Sequence, residues 1–345
     1  MTSSFDIREV EGELRDDMLR DFKGFRDGFV QVGPEKYLLP KKYQKDVDGL
    51  RSFKPRSDDV WIVTFPRSGT TWTQELIWLL SNDLNFEKAR SIPLYDRFPF
   101  LEFSTFLCDD LKQQLLDEMN GDIDKRNAIE ESAIPAFEML AKEESPRFIK
   151  THLPFSLLPP DLIHVGAKII YVARNPKDVA VSNFHLYKLF RTLDFQSDFP
   201  RFWNYFESNL VGWAPYWSHI KEGWQMRSHP NVIFMFYEDI NRDLRGTILK
   251  LSCFLNKKLT SEGMTKLQEH LHINSFRLNP SVNFESLRSL GYLNDNSQGF
   301  IRQGKIGGSE KYYAGDLNEQ AQKWIDINMK QIDGFQFPIK LSQSG

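Results

Sequence analysis

The stretch that decides the fold is Val60-Trp61-Ile62-Val63-Thr64-Phe65-Pro66-Arg67-Ser68-Gly69-Thr70-Thr71-Trp72. It opens on a continuous apolar run closed by Thr64, which suits a strand covered on both faces, as in a parallel sheet. Pro66 and Gly69 break the run, and Trp72, Leu76, Leu79 and Leu80 then recur at helical spacing. The loop between strand and helix reads as a cradle for an anion. Gly69 lets the backbone approach closely, and main-chain N–H groups at the start of a helix carry partial positive charge. Ser68, Thr70 and Thr71 add hydroxyl donors, and Arg67 adds a planar cation. The same hydroxyls would also serve as ordinary helix caps. A Walker A loop is excluded, because Gly69 is followed by Thr70-Thr71 with no lysine.

Outward from this unit the pattern repeats. Arg147-Phe148-Ile149-Lys150-Thr151 reads as a short strand ending at His152, and Lys168 to Ala173 as another ending at Arg174. A helix is predicted from about Pro176 to Phe190, with proline at the first turn, where its missing N–H is harmless. Val232 to Tyr237 reads as a fourth strand, and Leu244, Ile248, Leu251 and Leu255 form one helical stripe. Strands alternating with helices predict a single α/β domain, a central mostly parallel sheet flanked by helices. Residues 1–57 are charged and proline-punctuated and read as an arm packed on the domain of 58–345. Residues 104–146 form a long helical insertion. Leu111, Leu115, Leu116 and Met119 fit one helix there, and a second is expected from about Ile129 to Lys142. An insertion of that length is structured or functional, seldom a bare loop. Residues 294–308, rich in Gly, Asn and Gln, read as a mobile segment.

Composition narrows the partners. The 345 residues carry 44 Lys+Arg against 47 Asp+Glu, a net charge of -3, so a generic nucleic-acid binder is excluded and any anion site is local. The two cysteines, Cys108 and Cys253, lie far apart and offer neither a disulfide framework nor a CxxC metal pair. There is no apolar leader, no run of membrane-spanning length and no glycosylation sequon free of proline. The expectation is a cytoplasmic protein in a reducing compartment, with no membrane span.

Ligands of open α/β sheets bind beyond the carboxyl ends of the strands. Four polar groups follow strands here: the 67–71 loop, Lys150-Thr151-His152, Arg174, and Tyr237-Glu238. His152 suits a general base, since imidazole titrates near neutrality, although a lone histidine is more often structural. Arg174 suits a second anion, or an ion pair with Asp178.

With these motifs in view, the sequence resembles the cytosolic sulfotransferases, which transfer sulfonate from 3′-phosphoadenosine 5′-phosphosulfate (PAPS) and release PAP. The landmarks fall in order from about Asp58 to Gly308: TFPRSGTTW at 64–72, FPFLEF at 98–103, KTHLP at 150–154, YVARNPKDVAVS at 171–182, FYED at 236–239, SF at 275–276 and FIRQGKIGG at 300–308. The resemblance implies that Arg67, Ser68, Gly69, Thr70 and Thr71 hold the 5′-phosphosulfate in a P-loop-like turn. It implies that Trp72 and Phe276 sandwich the adenine, and that Tyr237 and the segment with Asn274 and Ser275 contact base and ribose. It assigns the 3′-phosphate to Arg174, Ser182, Arg302 and Gly304, with Gln303 between them. His152 would take the acceptor's proton, and Lys150 and Arg67 would stabilise the transferring sulfonate and the leaving phosphate. No metal is implied. Phe100, Phe103, Phe184 and Leu186 are the candidates for the wall of the acceptor pocket, with Lys150 and His152 at its end.

Three positions depart from the family pattern. Arg67 and Gln303 each stand where a lysine is usual, and Ser309 where a tryptophan is common. Arg67 stabilises charge but does not release a proton. The dimer signature near 310–319 is largely absent, with Glu310, Ala314 and Gly315 off-pattern and only Glu319 in agreement, so a homodimer is possible but weakly specified. The expected activity is sulfonation of a small apolar acceptor such as a phenol, steroid or lipid alcohol, at a hydroxyl or an amine. The alternatives are dehydration of an alcohol through a transient sulfate ester, a non-catalytic PAP-binding homologue, and, against the missing Walker lysine, a P-loop kinase.

Overall fold

The computed structural model describes residues 6–295, 299–302, 304 and 307–338. Seven strands run in chain order: β1 (Ile7–Glu9), β2 (Phe29–Val32), β3 (Tyr37–Pro40), β4 (Val60–Thr64), β5 (Phe148–Thr151), β6 (Lys168–Ala173) and β7 (Val232–Phe236). The last four form one sheet in the order β5-β4-β6-β7, every pair parallel. β4 is buried at all five positions, which is why it lacks polar alternation. After β4 the chain crosses to β5 on one side and then to β6 on the other. The strand order therefore reverses at β4, and the crevice beyond its carboxyl end is the natural ligand site.

β1, β2 and β3 form a separate antiparallel sheet within the first 57 residues, which the sequence reading did not anticipate. Its strands are only 3, 4 and 4 residues long, too short to display a period. Val30, Leu38 and Leu39 are buried in the same hydrophobic cluster as Trp61 and Val63 of β4. Below the sheet, Arg147 donates to Asp59 through Nε (2.8 Å) and Nη2 (2.6 Å), with both side chains almost wholly buried. That fork ties the start of β4 to the start of β5.

The insertion departs from expectation in one place. The helix Asp109–Glu118 buries Leu111, Leu115 and Leu116. The second helix is two, Ile123–Ser132 and Ala136–Leu140. The break falls at Pro135, whose ring disfavours helical backbone at the preceding residue and which lacks an N–H for the ladder. The fourth strand also stops one residue early, because Tyr237 begins the short helix Tyr237–Arg242. Cys108 is buried, Cys253 is exposed, and both are free thiols. No helix among the described residues is long and apolar enough to cross a membrane.

Candidate active site

Between β4 and the helix Thr70–Ser81, the chain turns through two left-handed residues, Arg67 (φ 68°) and Gly69 (φ 95°). At Gly69 a Cβ would lie 2.5 Å from Tyr237 Cδ2, so glycine is required for both reasons. Gly69 is the residue that caps the helix, and no side chain caps it. The hydroxyls are thus not spent on capping, and the first N–H groups of the helix are left for another acceptor. Thr70 Oγ1 pairs with Thr64 Oγ1 (2.7 Å), while the buried Ser68 hydroxyl has no hydrogen-bond partner among the described residues.

Arg67 Nε donates to Ser182 Oγ (2.9 Å) and Nη2 donates to the Phe300 carbonyl (3.0 Å), with the guanidinium 4.4 Å from the Phe300 ring centroid. Arg174 Nη1 donates to the Arg67 carbonyl (3.0 Å) and its guanidinium lies 4.2 Å from the Tyr237 ring. Arg302 is half-buried, and its Nη1 has no partner among the described residues. Burial, reinforced by Arg174 and Arg302, pushes Arg67 down to about 9. Burial likewise lowers Arg302. Three cations gathered in one cavity wall, beside the unpartnered Ser68 hydroxyl and Arg302 Nη1, are the chemistry of a site for a multiply charged anion. No group of three or more His, Cys, Asp or Glu among the described residues is arranged to hold a metal ion.

At the end of β5, His152 Nδ1 lies 2.7 Å from the Thr64 carbonyl and 3.1 Å from Thr64 Oγ1. A carbonyl only accepts, so Nδ1 carries the proton and Nε2 the lone pair. Burial and the neighbouring Lys150 charge hold the imidazole well below its usual range, hence neutral. Lys150 Nζ sits 3.9 Å from the Phe100 ring centroid. Burial pushes it down to about 8, Glu102 opposing and Arg67 reinforcing.

One cavity of about 1070 Å³ joins these groups. Arg67, Gly69, Thr70, Thr71, Trp72, Lys150, His152, Arg174, Ser182, Tyr237, Phe276, Arg302 and Gly304 all line it, as do Phe100, Phe103 and Leu186. Trp72 is fixed by its indole N–H, which donates to the Leu271 carbonyl (2.9 Å). Four of the named residues do not line it. Phe184 is not in the wall: it packs edge-on against Phe195, Phe199 and Phe202 in the core. Two residues along the helix Pro176–Leu189 turn the side chain by roughly 200°, so Leu186 faces the cavity and Phe184 faces away. Asn274 and Ser275 are exposed and line nothing, because in the helix Ile273–Leu278 Phe276 and Ile273 occupy the inward face. Ser68 is buried beneath the loop, outside the lining. Gln303 lies outside the described residues, as do 296–298, 305 and 306 of the segment read as mobile. Phe300 and Arg302 of that segment stand in the cavity wall.

The sequence reading missed Glu102 and Trp213 beside His152, and Phe190, Phe284, Leu290 and Tyr292 in the wall. It also left open which part of the insertion reaches the cavity; Ala128, Glu131, Ser132, Ile134, Ala136 and Met139 do.

A parallel sheet with a glycine turn, converging arginines and a neutral histidine at its carboxyl edge defines a group-transfer enzyme for an anionic donor. The chain belongs to the sulfotransferase family: the family's sulfotransferase-domain model matches residues 57–333. It is 34% identical over 340 residues to luciferin sulfotransferase of Photinus pyralis, covering 96% of this chain and 88% of that one. It is 32% identical over 295 residues to sulfotransferase 1E1 of Homo sapiens, covering 85% and 91%. Among solved structures, retinol dehydratase in a complex with retinol and PAP is 37% identical with a TM-score of 0.90, covering 98% of this chain and 100% of that one.

Proposed function

We propose that this sulfotransferase uses PAPS as donor and sulfonates a hydroxyl of a small apolar acceptor, with His152 as general base. One observation carries the reading. His152, with its tautomer fixed by Thr64, lines one cavity with Lys150, Arg67 and Phe100 and lies 5.1 Å from the Phe100 ring. PAPS supplies the sulfonate and leaves as PAP. Arg67, Arg174 and Arg302 bind its phosphates, Trp72 and Phe276 flank its base, and the helix N-terminus at Thr70 faces its 5′ end. Lys150 offsets charge on the sulfonate in flight. Nε2 accepts the acceptor's proton as its oxygen attacks sulfur, and the donor's negative charge raises the imidazole toward the range where a base works well. Phe100, Phe103, Phe284 and Leu290 hold the acceptor's apolar body.

A second reading has its own support, the 37% identity to retinol dehydratase across 98% of the chain. An alcohol sulfonated next to a conjugated system loses sulfate and a neighbouring proton, so the net change is loss of water. Incubation with PAPS and a panel of phenols, sterols and retinoids, read by product mass, separates the two outcomes. His152→Ala removes nearly all turnover of either kind while PAP still binds; unchanged turnover overturns the assignment.

A further inference from the structure

Glu102 is a buried acidic side chain beside His152 that the proposed chemistry leaves unused. It is 1% exposed. Its Oε1 accepts from the His152 main-chain N–H (2.7 Å) and from the Trp213 indole N–H (3.1 Å). Its Oε2 accepts from Thr151 Oγ1 (2.8 Å), which in turn accepts from the Leu153 N–H (3.0 Å). One carboxylate thus grips the chain immediately around His152. Trp213 is held in a left-handed conformation (φ 67°), with its ring 5.2 Å from the imidazole and stacked 4.4 Å from Phe106. Phe100 lies beside Trp213, its ring 6.2 Å from the indole and 5.1 Å from His152. The Phe100–Glu102 stretch is itself pinned to β5, by Lys150 N–H donating to the Pro99 carbonyl (2.9 Å) and Leu101 N–H donating to the Lys150 carbonyl (2.8 Å). The imidazole therefore abuts two neighbouring rings, one hydrogen-bonded to Glu102 and the other, Phe100, two residues before it in the chain.

The geometry points to Glu102 as a positioning residue for sulfonate transfer, holding His152 and Trp213 in register. The inference rests on the reading of His152 and Lys150 given above. An unpaired buried carboxylate would be expensive, but this one accepts three hydrogen bonds. Burial still pushes it up to about 7, with those bonds and Lys150 opposing. The charged and titratable groups facing the pair are Arg67 and His152 on the Lys150 side and the Tyr43 hydroxyl on the Glu102 side. Removing the carboxylate charge leaves Lys150 facing only groups that lower it. The ammonium then deprotonates at lower pH.

The test is the pH profile of kcat/KM for PAPS, which reports the free enzyme. Glu102→Gln keeps the side-chain shape. It should lower kcat roughly ten- to a hundred-fold, the scale of a displaced catalytic group. It should also move the alkaline limb about one pH unit downward, one tenfold change in the Lys150 equilibrium. A kcat lowered by one constant factor at every pH, with the limb unmoved, is the signature of a merely structural role and overturns the proposal. Should that variant fail to fold, Trp213→Phe keeps the ring and removes one donor to Glu102. The limb should shift in the same direction, and an unmoved limb refutes the inference. If His152→Ala retained turnover, the underlying reading would fail instead, whatever Glu102 does.

Discussion

Gly69→Ala is the sharpest test of how the loop is built. The substitution forces an L-residue to φ 95°, for about 1–2 kcal/mol, and drives a Cβ to 2.5 Å from Tyr237 Cδ2, where nothing flexible gives way. Tyr237 is buried, its ring 4.2 Å from the Arg174 guanidinium and edge-on to Trp72 at 6.2 Å. Relief requires the ring to move by about an ångström, at about 1–3 kcal/mol of overpacking. The total is about 2–5 kcal/mol of stability, and the shift disturbs two groups assigned to the donor at once. A loss of only 1.4 kcal/mol in binding is tenfold, so PAP affinity should fall at least about tenfold. The assay is calorimetric titration of PAP with a thermal melt of the same samples, run as a double-mutant cycle with Tyr237→Ala. Without the ring, the added cost of Gly69→Ala should shrink to the left-handed backbone alone. Equal costs in both backgrounds, or wild-type PAP affinity in the single variant, would refute the reasoning.

Two further outcomes follow from the cavity. With Lys150 pushed down to about 8, part of the free protein carries its neutral amine near that pH. An anion favours the protonated form, so PAP binding there should take up protons; titrations in buffers of different ionisation enthalpy read the uptake. Ile134 and Met139, 42% and 46% exposed at the insertion's side of the cavity, should contact the acceptor and not the donor. Replacing both with Ser should raise acceptor KM several-fold and leave PAP affinity unchanged.

What the sequence made legible were features written in consecutive residues. β4, β6 and β7 are apolar runs, and the loop after β4 carries its glycine, its hydroxyls and its arginine in seven positions. The parallel sheet followed from them, and with it the placement of Lys150, His152 and Arg174 at one edge. Features assembled across the chain were not legible. Glu102 meets His152 and Trp213 across separations of 50 and 111 residues, and nothing in FPFLEF distinguishes its glutamate from a surface one. Helical periodicity puts Phe184 and Leu186 on different faces but does not say which face meets the cavity. That depends on Phe195, Phe199 and Phe202 filling the space on the Phe184 side. Asn274 and Ser275 lie outside the lining for the same reason, since the short helix has one inward face and Phe276 takes it.

The partners of the cations separate those that hold the fold from those that face the ligand. Arg97 and Arg147 are buried against the carboxylates of Glu75 and Asp59, at 2.8 and 2.6 Å. Each is held further by backbone carbonyls, Arg97 by those of Ile92 and Ala89 and Arg147 by those of Leu140 and Lys54, and breaking either ion pair would cost about 3–5 kcal/mol. Arg67 and Lys150 have no carboxylate within ion-pair distance among the described residues and lie against the rings of Phe300 and Phe100 instead. An aromatic face contributes only about 0.5–2 kcal/mol, but it stabilises the charge without occupying every N–H donor. Both cations line the cavity with their charge intact, where a carboxylate would have neutralised it. That trade explains how a chain of net charge -3 builds a strongly anion-selective site, and why part of its complement of 28 phenylalanines belongs to the donor end of the cavity as well as to the acceptor end.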